Sequence, residues 1–154
     1  IITLGDNFHD DHASSRLSED AVSLIWAIAE KRELIWITGN HDPSPPDNVP
    51  GSCVEEIAIG GITLRHIADP SCAVPEMSGH LHPAAKIRVR GKSVRKPCFI
   101  TDGTRMIIPS FGVYTGGLNV CDQAFHGLFK TQSMCAYMLG TDRVFPIHGH
   151  QLVV

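Results

Sequence analysis

Asp6, the run Gly39-Asn40-His41-Asp42, His66 and the run Gly79-His80-Leu81-His82 gather carboxylate, amide and imidazole groups at or near the ends of short apolar segments. Oxygen and nitrogen donors in this mixture are what a pair of hard-to-borderline divalent cations takes. The chemistry they suggest is a two-metal site. It requires elements that carry these distant positions to one place.

Ile1-Ile2-Thr3-Leu4 is a β-branched apolar run that stops at Gly5-Asp6, so it reads as a buried strand delivering Asp6 at its carboxyl end. A polar stretch through Asn7, His9, Asp10, Asp11 and His12 leads to Ser18-Glu19-Asp20, a helix cap followed by acids in a first turn. Val22, Ile25, Ile28 and Ala29 recur at helical spacing with Leu24 beside them, and Lys31 and Arg32 close the last turn. Leu34-Ile35-Trp36-Ile37-Thr38 is a second buried strand, ending at Gly39. Strand, helix, strand is a crossover unit with a parallel pair, and ligands collect at the carboxyl ends of such strands. Asp6 and Asn40 are therefore expected side by side. Trp26 and Trp36 are expected in the core.

Residues 43–50 hold four prolines and read as a loop. The pattern then turns mostly β. Residues 54–59 and 62–66 are strands joined by the hairpin pair Gly60-Gly61, with His66 at the end of the second. Ala85, Ile87 and Val89 alternate with Lys86, Arg88 and Arg90, the period of a strand with one buried face. Asp102-Gly103 is a further turn between residues 99–101 and 104–108, and Gly140-Thr141-Asp142 joins closing strands over 134–139 and 143–147.

A chain of 154 residues with 43% hydrophobic content can bury one domain's core, and no run is long enough to cross a bilayer. The net charge of -3 argues against wholesale polyanion binding and leaves that role to local clusters. Cys53, Cys72, Cys98, Cys121 and Cys135 are odd in number with no C-x-x-C pair, which fits packing residues in a reducing compartment, the cytoplasm.

Each chemical reading has an ordinary rival. Asp6 could cap the next segment, Asn40-His41-Asp42 before Pro43 could be turn chemistry, and His66 could be a partly buried strand histidine. Their joint order favours chemistry. His9 and His12 read as surface residues, and His148-Gly149-His150 as a strand edge or turn, since nothing near it completes a metal site. Lys86, Arg88, Arg90, Lys92, Arg95 and Lys96 form one basic cluster. Its first reading is the wet face of a strand and its second a nucleic-acid track, which salt would weaken steeply.

Gly5-Asp6, Gly39-Asn40-His41-Asp42, a strand-end His66 and Gly79-His80-Leu81-His82, in that order, resemble the calcineurin-like metallophosphoesterase superfamily over essentially the whole chain. Gly5-Asp6-Asn7-Phe8-His9-Asp10 and Ser110-Phe111-Gly112-Val113-Tyr114-Thr115-Gly116-Gly117-Leu118 are similar to its bacterial ligase-associated DNA-damage-response branch. The resemblance implies an α/β fold of the α-β-β-α sandwich type over residues 1–154. It implies hydrolysis of phosphodiesters by hydroxide activated between two divalent metals, in a DNA-repair-associated endonuclease with a DNA ligase or helicase as partner. A nucleotide or small-molecule phosphatase is the alternative enzyme, and a catalytically dead interaction module the alternative from another class.

Carried residue by residue, the resemblance makes Asp6 the bridging carboxylate, Asn40, His66 and His80 ligands of the second metal and His82 a ligand of the first. His41 matches the family's catalytic histidine, serving the leaving oxygen. Asp10 would orient that imidazole, although it follows Asp6 by four residues where the family has three. The donor set suits Mn²⁺ best, with Zn²⁺, Fe or Ni²⁺ as alternatives. The family's opening Asp-x-His motif has no counterpart ahead of Asp6. The chain is thus expected to lack a first strand and helix, and to bind at most one metal tightly when made alone.

Overall fold

Three short parallel strands carry the first half of the molecule. A computed structural model describes residues 1–8, 12, 16–43, 48–112, 115–130 and 132–154. Asp10, with His9, Asp11, Val113, Tyr114 and the middle of the proline loop, lies outside the described residues. Strands β1 (Ile2–Thr3), β2 (Ile35–Ile37) and β3 (Ser52–Val54) form a sheet in that order, both pairs parallel. Helix α1 (Glu19–Ala29) makes the expected crossover between β1 and β2. Its start is set by Ser18, whose hydroxyl accepts from the Ala21 N–H at 3.2 Å, with Glu19 and Asp20 in the first turn.

The helix ends sooner than its charges suggest. Lys31 and Arg32 fall beyond Ala29, and the Arg32 guanidinium reaches back to donate to the Ile28 carbonyl at 3.4 Å. Val22, Ile25 and Ala29 are half-buried, whereas Leu24, Trp26 and Ile28 are exposed. The expectation that Trp26 belongs to the core is corrected: it is 55% exposed, on a helix that packs too loosely to bury any of its residues. Trp36 is buried, its indole N–H donating to the Pro50 carbonyl at 2.9 Å.

The remaining strands build a nine-stranded mixed sheet. β4 (Glu56–Ile59) and β5 (Ile62–Arg65) form the expected hairpin, and Gly60 and Gly61 take φ of +59° and +81°, which a primed two-residue turn requires. β5 pairs in parallel with β6 (Glu76–Ser78), and β6 with β9 (Arg105–Ile107). β7 (Pro83–Val89) pairs antiparallel with β8 (Lys92–Thr101), whose far half also pairs with β9 and with β11 (Cys135–Leu139). β10 (Leu118–Asn119) edges β7, and β12 (Val144–His148) edges β11. The core beneath this sheet includes Ala85, Cys98, Ile100, Ile107, Val120, Phe125, Ala136 and Met138. All five cysteines are free thiols, and burial pushes Cys98 up to about 12, an inert packing group. Among the described residues no helix is long and apolar enough to cross a membrane.

Candidate metal centre

The chain leaving β1 must turn sharply to present Asp6, and Asp42 makes it do so. Asp42 is buried, and its carboxylate accepts from the Asp6 N–H at 2.8 Å, the Asn7 N–H at 2.7 Å, the Asn7 side-chain amide at 3.2 Å and the Phe8 N–H at 3.2 Å. Those bonds hold Asp6 at φ 50°, a left-handed conformation that costs a residue with a Cβ about 1–2 kcal/mol. Asp6 Oδ1 in turn accepts from the His41 backbone N–H at 2.9 Å. The two loops following β1 and β2 are thereby tied carboxylate to amide in both directions. Glycine is required where they meet: a Cβ on Gly39 would stand 2.1 Å from Asp6 Oδ1, and one on Gly5 would stand 2.5 Å from His66 Nδ1.

His66 follows β5 and is 5% exposed. Its Nδ1 lies 2.7 Å from the Leu4 carbonyl, which can only accept, so Nδ1 carries the proton and the neutral ring has its lone pair on Nε2. That Nε2 faces Asp6 Oδ2 at 3.1 Å, Asn40 Oδ1 at 3.0 Å and His80 Nδ1 at 3.2 Å. Two oxygens and two imidazole nitrogens thus converge with no hydrogen assured between them. Such a set of converging donors fits a divalent cation, whose charge would draw them together as ligands.

His80 and His82 are aimed by a strained segment. Both have positive φ, 61° and 45°, and the Leu81 N–H donates to the Gly79 carbonyl at 2.8 Å, a three-residue turn about His80. Together with Asp6 they are three of the four non-glycine residues at positive φ among those described. Strain of this kind persists where surrounding bonds over-determine it, and here it is concentrated at one centre. Burial, reinforced by His66 and opposed by Asp6, holds the His80 imidazole below its ordinary pKa. Burial, opposed by Asp6 and reinforced by His66 and His41, does the same for His82. Both rings are therefore biased toward the neutral form that ligates metal.

The described residues contain one cluster of three acidic, histidine or cysteine side chains at ligating separation: Asp6, His66 and His80, all within 4.8 Å of one another. Asn40 joins it through His66. His82 and His41 stand close enough to act on its charges but lie outside that tight group. The side chain of His41 is exposed, as a group meeting substrate would be. His148 and His150 stack with ring centroids 6.0 Å apart at the end of β12, and no third donor joins them among the described residues.

No family model and no curated protein matches this chain. A solved structure does. The crystal structure of the Pseudomonas putida nuclease MPE matches with a TM-score of 0.70 and 24% sequence identity, covering 95% of this chain and 68% of that one. The chain shares that nuclease's fold.

In the sequence Asp42 reads only as turn chemistry, although it is the residue that shapes the Asp6 loop. The available signal was an acid closing a Gly-Asn-His run after a buried strand. Glu76 was missed altogether. It is buried and receives Arg105 Nε at 2.6 Å and the Asp69 N–H at 2.8 Å, which pins the loop that follows His66.

Proposed function

We propose that this chain is a metal-dependent phosphoesterase that cleaves phosphodiester bonds, a calcineurin-like α-β-β-α sandwich spanning residues 1–154. The observation that carries the proposal is His66: its Nδ1 is committed to the Leu4 carbonyl while Nε2 confronts Asp6, Asn40 and His80. The fold shared with a nuclease supports it. So does the order of motifs along the sequence.

In this reading Asp6, Asn40, His66 and His80 would hold one divalent ion, and Asp6 with His82 would hold a second. When bound, such ions supply Lewis-acid chemistry, lowering the pKa of water and neutralising phosphoryl charge. His41 donates a proton to the departing oxygen, and Asp10 orients its ring. Asp42 keeps the Asp6 carboxylate at its post. Mn²⁺ is the cation the donor set favours, ahead of Zn²⁺, Fe or Ni²⁺. A cytoplasmic DNA-repair setting, with DNA as substrate and a DNA ligase or helicase as partner, follows from the branch resemblance.

Hydrolysis of bis-p-nitrophenyl phosphate and of p-nitrophenyl phosphate with Mn²⁺ tests the proposal. Turnover of the diester above the monoester is expected. Monoester preference would move the assignment to a phosphatase, and inertness toward both would leave an interaction module.

A further inference from the structure

Six of the chain's 13 Lys and Arg residues fall within residues 86–96, and no Asp or Glu occurs between residues 77 and 101, although the whole chain is acidic at -3. The structure gives this cluster a direction. Across the β7–β8 hairpin Lys86 stands opposite Arg95 and Arg88 opposite Ser93, so these four share a face. Ile87 opposite Val94 occupies the other face and packs against the core. The basic face therefore looks outward. The turn adds Arg90 at φ 49° before Gly91.

Arg88 and Arg90 are exposed, and among the described residues neither pairs with a carboxylate, whereas Lys92 and Lys96, opposite Val89 and Ala85, lie on the other face. Lys86 and Arg95 instead donate to main-chain carbonyls, of Val154 and Gly117. Like charges gathered without counter-charge raise the energy of the free protein, and a polyanion relieves that cost. The row also leads to the candidate centre. β7 begins immediately after His82, and the Leu118 N–H beside Gly117 donates to the His82 carbonyl at 2.9 Å. At about 3.3 Å per residue, Lys86 and Arg88 lie roughly 13 and 20 Å along the strand from His82.

We propose that the outward face of the β7–β8 hairpin binds the phosphodiester backbone of a nucleic acid and lays it across the centre. The inference rests on the phosphodiester reading of that centre and assigns the surface along which a polymeric substrate would lie. A single phosphate would need one cationic pocket, whereas this is a row several residues long. Anionic membrane is the other polyanion of suitable extent, but the outward face offers no apolar side chain to enter it, since Ile87 and Val94 point inward.

Fluorescence anisotropy of the full chain with labelled single-stranded DNA, between about 50 and 200 mM salt, reads this directly. Wild-type affinity should fall steeply with salt. Arg88→Gln/Arg90→Gln/Arg95→Gln should bind at least tenfold more weakly at the low end, with a log–log slope shallower by about 0.7 for each phosphate the variant no longer neutralises. Arg88→Gln alone should leave one phosphate without its cation, and Lys31→Gln, beyond α1, none. Hydrolysis of bis-p-nitrophenyl phosphate should be unchanged in all three variants. If the diester is never hydrolysed yet DNA binding behaves as described, the surface stands and the catalytic reading fails. A flat wild-type salt dependence, undiminished binding by the triple variant, or binding to phosphatidylserine vesicles without binding to DNA overturns the proposal.

Discussion

Two buried polar clusters in this molecule are built from similar groups and behave as opposites. Around Glu76, donors meet acceptors: its carboxylate takes Arg105 Nε at 2.6 Å and the Asp69 N–H at 2.8 Å, with Arg65 Nε at 3.4 Å and the Arg105 guanidinium also reaching the Leu128 and Asp69 carbonyls. Around His66, two oxygens and two imidazole nitrogens face one another at 3.0–3.2 Å. The first cluster pairs opposite charges and serves the fold, although Arg65 Nε is buried there without a hydrogen-bond partner. The second is left open to a cation, and three strained backbone positions surround or contribute to the region. Burial of charge alone does not mark a functional centre; ligating atoms gathered on one point are the better sign.

That contrast predicts separable losses. His41→Ala should reduce diester turnover by about 10²–10⁴-fold, the usual contribution of a general acid, while metal content per chain is unchanged. Loss of metal in that variant would make His41 a ligand. Glu76→Ala, by contrast, should lower stability by about 3–5 kcal/mol in denaturant titration, because Arg105 is left buried and unpaired. The Glu76→Ala protein that remains folded should still bind metal. If it did not, the two clusters would be one system.

How much of this contrast was legible in the sequence follows from which residues advertise themselves. Asp6, Asn40, His66, His80 and His82 sit in short motifs with glycine and close to strand ends, and their order could be read. The β1–α1–β2 crossover and the Gly60-Gly61 hairpin were equally plain from apolar runs and turn residues. β8 is only half legible, since Lys92-Ser93-Val94-Arg95-Lys96-Pro97, the half that pairs with β7, is polar and carries a proline, poor credentials for a strand. The Glu76–Arg105 pair was invisible, because a long-range ion pair between an ordinary acid and an ordinary base leaves no local pattern. Trp26 misleads in the opposite direction, as an aromatic residue on a helix that buries none of its residues.

Smaller effects refine the same contrast. Asp42→Asn should weaken metal affinity about 10–100-fold through the Asp6 loop, without touching the ion, as supporting groups commonly do. Unchanged affinity in a calorimetric titration would remove Asp42 from the account. Gly39→Ala should cost about 1–3 kcal/mol by forcing a methyl group against Asp6, and should reduce metal affinity in parallel. The smallest effect concerns pH. Burial pushes the Asp102 carboxyl up, but the amides of Lys130, Arg105 and Thr104 outweigh it and hold the folded-state pKa below 3.8. Its stabilisation is therefore present above the ordinary carboxyl range and fades as pH falls through the depressed folded value. Wild type and Asp102→Asn should accordingly converge in melting temperature on acidification, and a constant gap down to pH about 2 would contradict that.

The most direct test of the central claim is a calorimetric titration of Mn²⁺ into the full chain beside Asp6→Asn, a substitution that keeps the shape and removes the charge. Saturable binding by wild type, weakened at least tenfold in the variant while both remain folded, is the predicted result. No binding by wild type, or equal binding by the two proteins, would contradict a cation held at Asp6, Asn40, His66 and His80.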